Sequence, residues 1–267
     1  MSLDLGPALL FCPADRPDRY QKAAERADAV ILDLEDAVAP ADKTDARRAL
    51  IDHPLDPATT IVRVNARGTD DHTLDVAALE QTAYRTIMLP KAVDATGLES
   101  YSVIALCETA AGVLASEALA AQPHVVALMW GAEDLVASLG GSSSRHDDAR
   151  YRDVAVHARA RILVAAGAHG KTAIDAVHLD IADLDGLGLE ARDAAAQGFA
   201  ATACIHPGQV ETVRAAYRPS EADIVHARAV VDAAQGASGV FVLDGVMVDE
   251  PVVRHARRVL QRARVAS

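Results

Sequence analysis

Residues 103–134, VIALCETAAGVLASEALAAQPHVVALMWGAED, hold the pattern on which the fold turns. Two short apolar runs, 103–107 (VIALC) and 125–130 (VVALMW), are each followed at once by charge: Glu108-Thr109 after the first, Gly131-Ala132-Glu133-Asp134 after the second. The segment between them has helical spacing, so the stretch reads as strand, helix, strand, the strands apolar on both faces as in a buried parallel sheet. Working outward, similar runs stand at 8–12, 29–32, 60–64, 86–89, 173–179 and 201–205, making eight candidate strands. Stretches of helical spacing separate them, such as Tyr20, Ala23, Ala24, Ala27 and Val154, Ala158, Ile162, Ala165. Eight βα units in about 205 residues fit a TIM (β/α)8 barrel, and no G-x-G-x-x-G follows an early strand as in a dinucleotide-binding open sheet. The expected class is therefore α/β, a TIM barrel.

Two segments lie outside the repeat. An excursion of about 40 residues after the sixth run contains Gly140-Gly141-Ser142-Ser143-Ser144, a loop able to line a site, and then a long amphipathic helix. After the eighth unit, Ser220-x-x-Asp223 reads as a capping box, GVFVLDGVMV as a hairpin turning at Asp244-Gly245, and a last helix starts near Pro251. The expected organisation is a barrel over 1–218 and a helix-hairpin-helix appendage over 219–267.

Composition narrows the partners. With 26 Lys+Arg against 38 Asp+Glu, the 267-residue chain carries a formal charge of −12 and repels phosphate backbones and anionic membrane surfaces. No run approaches the roughly 18 apolar residues of a spanning helix, and the opening residues lack a signal-peptide pattern. A cytoplasmic protein with no nucleic-acid or membrane partner is expected. Cys12, Cys107 and Cys204 are odd in number and embedded in apolar runs, which favours core packing over disulfides or zinc.

Barrel chemistry collects where strands give way to loops. Five consecutive strand ends here carry charge: Asp33-Leu34-Glu35-Asp36, Arg63 with Asn65 and Arg67, Lys91, Glu108, and Glu133-Asp134. Glu108 and Asp134 follow neighbouring strands, about 4.8 Å apart, and two carboxylates that close need a proton or a cation between them. A hard Mg²⁺ ion suits such a pair; the alternative is that both cap the helices that follow. Arg63, inside an apolar strand, needs an anionic partner, either a substrate carboxylate or an internal pair with Glu35 or Asp33. Lys91 reads best as a rim salt bridge, and His206 as a hydrogen-bonded helix start. No H-x-x-H, H-E-x-x-H or G-x-S-x-G pattern occurs, which argues against imidazole metal ligation and serine hydrolysis.

The strand-end motifs LFCPADRPDRYQKA, AVILDLEDAV, IVRVNARGT, MLPKA, ALCETAAG, MWGAEDL, AIDAVHLD, CIHPGQ and GVMVDEP occur in order from Leu10 to about Ala256. Together they resemble the citrate lyase β-subunit-like group of the HpcH/HpaI aldolase superfamily, which includes malyl-CoA and citramalyl-CoA lyases. The resemblance implies a TIM barrel, often trimeric, that uses Mg²⁺ to cleave or form a C–C bond between an acyl-CoA thioester and a 2-oxo acid.

Position by position, it implies Glu108 and Asp134 as metal ligands, Arg63 as the grip on the 2-oxo-acid carboxylate, and Glu35 behind them. Gly131, Ala132 and Glu133, in the same motif as Asp134, are expected at the substrate. Asp249, in M-V-D-x-P, matches a catalytic acid/base delivered by a neighbouring subunit, although on its own chemistry it reads as a helix cap. Arg16 and Lys22 resemble residues that hold the CoA phosphates. Pro13-Ala14-Asp15 departs from the Pro-Gly-small-polar pattern of many relatives and leaves CoA or carrier recognition open. The expected function is a Mg²⁺-dependent lyase of the malyl-CoA, citramalyl-CoA or 3-hydroxy-3-methylglutaryl-CoA type. The alternatives are a citrate lyase β subunit acting on a carrier thioester, a CoA-independent pyruvate aldolase and a non-catalytic acyl-CoA-binding protein.

Overall fold

A computed structural model describes residues 5–236 and 239–265. Eight strands run in chain order: β1 Ala8–Pro13, β2 Ala29–Asp33, β3 Thr60–Arg63, β4 Thr86–Leu89, β5 Ser102–Cys107, β6 Val125–Trp130, β7 Thr172–Asp175 and β8 Ala201–Cys204. All pair in parallel with their neighbours, and β1 pairs with β8 to close the barrel. Around them lie α1 Pro17–Arg26, α2 Lys43–Asp52, α3 Asp70–Leu79, α4 Ala110–Ala121, α5 Ala132–Ser138, α6 Asp153–Ala168, α7 Leu184–Gln197 and α8 Val210–Tyr217. The expected seventh strand, 173–179, stops at Asp175, whose carboxylate is held from the side by Trp130 and Arg159, and Val177-His178-Leu179 continue as loop.

Strand periodicity places the site. Leu9, Ala29, Ile31, Ile61, Met88, Ile104, Leu106, Ala127, Met129, Ile174, Ala201 and Ala203 form one buried cluster, and on each strand they sit two residues apart. Successive side chains point to opposite faces of a strand, so this is the lumen filling. Continued toward the strand ends, the same alternation reaches Asp33 on β2, Arg63 on β3, Glu108 after β5 and Gly131 after β6. An apolar plug thus ends upward in a charged layer. The three cysteines are buried, as their apolar settings imply.

The chain divides into two compact units, one up to Val213 and one from Arg214 onward. The second holds α9 Glu221–Gln235, the antiparallel hairpin β9 Phe241–Leu243 with β10 Val246–Val248, and α10 Glu250–Val265. Ser220 and Asp223 form the expected capping box. Asp244 and Gly245 both have positive φ, 50° and 80°, as a tight two-residue hairpin turn requires. Ala227, Val230, Val248, Val253 and Ala256 form this unit's own small core. Among the described residues, no helix is long and apolar enough to cross a membrane.

Candidate active site at the barrel mouth

Arg63 is the most heavily anchored charge in the layer. Its Nε and Nη2 donate to the two oxygens of Asp33 at 2.7 and 2.6 Å, and its Nη1 stands 3.2 Å from Glu35 Oε2. Phe11 lies under the guanidinium, 4.9 Å from Cζ to ring centroid. Asp33 is itself fixed by the backbone N–H groups of Glu35 and Ala37. Burial works against the charge of Arg63, but Asp33, Glu35 and Glu108 outweigh it and hold its pKa above the usual value. The internal pairs with Asp33 and Glu35 are therefore both made. Of the five guanidinium N–H donors two are given to Asp33, and the Glu35 contact is an ion pair in which Oε2, though buried, accepts no hydrogen bond among the described residues.

Lys91 joins the layer from the turn after β4. Its backbone is left-handed, φ 50°, a strained state for a side-chain-bearing residue that is typical of functional sites. In that conformation its N–H donates to Glu108 Oε1 at 3.0 Å while its Nζ reaches Glu35 Oε1 at 2.5 Å. The expected rim salt bridge is thus present, and the same residue orients Glu108.

Glu108 is 2% exposed. It does not cap α4; Thr109 does, accepting from Gly112 N at 3.0 Å. Burial, then the negative charges of Asp134 and Glu35, push the Glu108 pKa up to about 8, against the opposing pull of Arg63 and Lys91. Asp134, in the first turn of α5, is half-buried and makes no side-chain cap bond. Gly131 faces the lumen beside them: a Cβ there would lie 3.0 Å from Glu108 Cβ and 3.2 Å from its Oε2. Ala132 is buried, and Glu133 accepts from Ser144 Oγ at 2.5 Å. Carboxyl groups outnumber cations in this layer: Asp33, Glu35, Glu108 and Asp134, with Asp36 3.8 Å from Lys91 Nζ, stand against Arg63 and Lys91.

Glu35, Arg63, Glu108, Gly131 and Asp134 are thereby brought to one rim, with Lys91 added. Arg16, at the start of α1, is exposed and paired with Asp18, and Lys22 is exposed farther along that helix. Asp249 belongs to the second unit, where its Oδ1 accepts from Val252 N at 3.2 Å, so the helix-start contact is made. His206 accepts from Gly208 N at the head of a short 3₁₀ turn, Pro207–Gln209, which is the helix-start role.

Behind the rim lies a network that sequence reading missed. Lys43 Nζ donates to Leu34 O, Glu35 O and Asn65 Oδ1, Asn65 is held by Asp75, and Asp75 pairs with Arg47. The signal was present: Lys43, Ala46, Arg47 and Leu50 form the buried stripe of α2, and Asp75, Ala78 and Leu79 that of α3. Charges on inward stripes of adjacent helices must meet one another.

A family model described as HpcH/HpaI aldolase/citrate lyase matches residues 8–101 and 96–207. The chain belongs to this family. It is 57% identical over 261 residues to a citrate lyase subunit beta-like protein of Mycobacterium tuberculosis, covering 97% of this chain and 96% of that one. It is 33% identical to a (3S)-malyl-CoA thioesterase of Cereibacter sphaeroides (96% and 94% covered) and 33% identical to citrate lyase subunit beta of Escherichia coli (90% and 87% covered). Among solved structures it resembles protein CitE of Mycobacterium tuberculosis in complex with magnesium, acetoacetate and coenzyme A, with TM-score 0.92, 56% identity and coverage of 97% and 98%. The citrate lyase beta subunit of that organism complexed with oxaloacetate and magnesium matches at TM-score 0.80 and 60% identity, over 80% of this chain and 98% of that one. The protein is accordingly an enzyme of a lyase family.

Proposed function

We propose that this protein is a Mg²⁺-dependent carbon–carbon lyase that cleaves, or in reverse forms, a β-hydroxyacyl-CoA thioester from an acyl-CoA and a 2-oxo acid. The observation that carries this reading is the meeting of two carboxyl groups at the rim, where buried Glu108 feels the charge of Asp134 beside the space that Gly131 leaves open. The donors fit the ion: two hard carboxylates with space for water and substrate oxygens is how proteins commonly hold Mg²⁺. Glu108 and Asp134 would hold it there, and when bound it supplies Lewis-acid polarisation of the substrate's 2-oxygen and carboxylate. The magnesium, acetoacetate, oxaloacetate and coenzyme A of the similar structures support the assignment.

The chain's own residues do the rest. Arg63 grips the 2-oxo-acid carboxylate with N–H donors not given to Asp33, while Asp33 and Glu35 prevent it from turning away. Gly131 keeps the space beside Glu108 open, and Ala132 and Glu133 border the substrate. In cleavage the β-hydroxyl gives its proton to solvent water, its oxygen becomes the carbonyl of the 2-oxo acid as the C–C bond breaks, and the electron pair of that bond leaves on the thioester as its enolate. Asp249, reaching in from a neighbouring copy in a homotrimer and carrying a proton taken from solvent, gives it to the enolate carbon through Oδ2, its Oδ1 serving the α10 start. Arg16 and Lys22 hold the CoA phosphates. The barrel, 1–218, thus binds and polarises, the appendage, 219–267, supplies the proton, and the enzyme works in the cytoplasm. Likeness to the Escherichia coli subunit favours a second reading, cleavage of a citryl thioester on a carrier protein.

Incubation with Mg²⁺ and malyl-, citramalyl- and 3-hydroxy-3-methylglutaryl-CoA, scoring 2-oxo acid and free CoA separately, tests this. The expected result is 2-oxo acid release from at least one thioester, lowered about 10³-fold by Asp249→Ala with CoA binding retained, within the range of a lost general acid. CoA release without 2-oxo acid would indicate thioester hydrolysis instead, and activity on a citryl-carrier thioester alone would select the second reading.

A further inference from the structure

The short helix that carries Asp134 is gripped at both ends by one strap. Helix α5 has seven residues, too few to hold a conformation or a direction unaided. At its C-terminal end the chain enters Gly140, φ 74°, and Gly141, whose N–H groups close on Ala137 O at 3.0 Å and Val136 O at 2.9 Å. A Cβ on Gly141 would stand 2.8 Å from Val136 Cγ1, so the strap presses directly on the helix. The chain then doubles back, and Ser144, 2% exposed, donates its hydroxyl to Glu133 at the other end of α5.

The strap is itself locked to the barrel. Arg145 engages both carboxylate oxygens of Glu190 on α7, and its guanidinium lies 3.9 Å over the Tyr151 ring. Arg145 and Tyr151 pair as an antiparallel bridge, and Arg152 N donates to Ser144 O at 2.8 Å. Tyr151 meets Trp130 edge to face at 5.2 Å, and Trp130 is the last residue of β6, immediately before Gly131. The route from Glu190 through Arg145, Ser144 and Glu133 ends one residue from Asp134.

Resting on the metal assignment under Proposed function, we propose that Ser144 and Arg145 are positioning residues for the metal site. The strap over 140–152 holds Glu133 aside and fixes the direction in which Asp134 presents its carboxylate. The serine run and the excursion that carries it are, on this view, a mounting for α5.

The test is calorimetric titration with magnesium chloride alone, without substrate. Ser144→Ala is expected to raise the Mg²⁺ dissociation constant about tenfold, the low end of the effect of residues supporting metal ligands. Glu133→Ala should match it, and the double variant should lose no more than either single one, because Ser144 acts through Glu133. In turnover, Ser144→Ala should raise the Mg²⁺ concentration for half-maximal rate in the same proportion while kcat at saturating Mg²⁺ falls less than twofold; a general loss of folding would lower kcat as well. A wild-type dissociation constant in Ser144→Ala, or losses that add in the double variant, overturns the inference. If wild-type protein binds no Mg²⁺, or Glu108→Gln binds it unchanged, the metal assignment fails first and takes this one with it.

Discussion

Two charged clusters at the C-terminal ends of the strands are treated in opposite ways. Between β6, β7 and α7, the buried charges are matched one to one: Asp175 accepts from Trp130 Nε1 at 2.6 Å and from both Nε and Nη2 of Arg159, whose Nη1 reaches the exposed Asp193 and whose guanidinium covers Phe199. Across the mouth, between β2 and β6, the pairing is deliberately incomplete, because Glu108 and Asp134 face each other's charge with too few cations around them. Both clusters are buried and both use arginine. The first can only hold the barrel together, whereas the second must acquire something from solution to be neutral.

The sharpest way to break the comparison is Glu108→Gln. Without metal, a carboxyl whose pKa is raised by folding binds its proton more tightly in the folded state, so stability is greatest at acid pH and falls as pH rises from the ordinary carboxylate range to about 8. Glu108→Gln should therefore stabilise the metal-free protein at pH 8 by more than about 1 kcal/mol while weakening Mg²⁺ binding by more than the roughly 10–100-fold that loss of a residue supporting a metal ligand costs. Thermal melts from pH 4.5 to 8 with and without Mg²⁺ check both; a destabilised variant would place Glu108 among the matched charges.

Arg159→Met should behave in reverse. It strands Asp175, 6% exposed, and is expected to cost about 3–5 kcal/mol of folding stability, read from denaturant midpoints. The remaining folded protein should bind Mg²⁺ as the wild type does. A large fall in metal affinity at unchanged stability would show that the two clusters are not separate in role. The smallest effect belongs to Thr109→Ala, which removes the cap of α4 beside Glu108 and should cost about 1 kcal/mol, with little change in the Mg²⁺ titration.

The matched cluster was almost invisible in the sequence, and the incomplete one was plain. Glu108 stands directly behind a long apolar strand, where parity alone aims a residue at the mouth, and Asp134 follows the next strand by four residues, in the first turn of α5. Arg159 lies in a helix and Asp175 in what reads as the middle of strand 173–179, and only the fold shows that they meet. The barrel was legible because the strands are buried on both faces and their ends punctuated by charge. Ser144 reads as part of a loop able to line a site, yet it is 2% exposed, because its partner Glu133 lies 11 residues away, across a turn that composition does not describe. Arg63 makes the internal pairs with Asp33 and Glu35 that a guanidinium inside an apolar strand requires.

The closure of β1 on β8 has a consequence for how the chain is made. Leu9 and Leu10 pair with Ala203 and Cys204, so one edge of the first strand waits for a partner encoded roughly 190 residues later. At ribosomal speeds of about 5–20 residues per second, that edge stays open for on the order of ten seconds or longer. Nascent chains can therefore recruit one another through it, and a chaperone that shields the amino-terminal hairpin of strand and helix during synthesis should raise the yield of active enzyme more than one supplied after release.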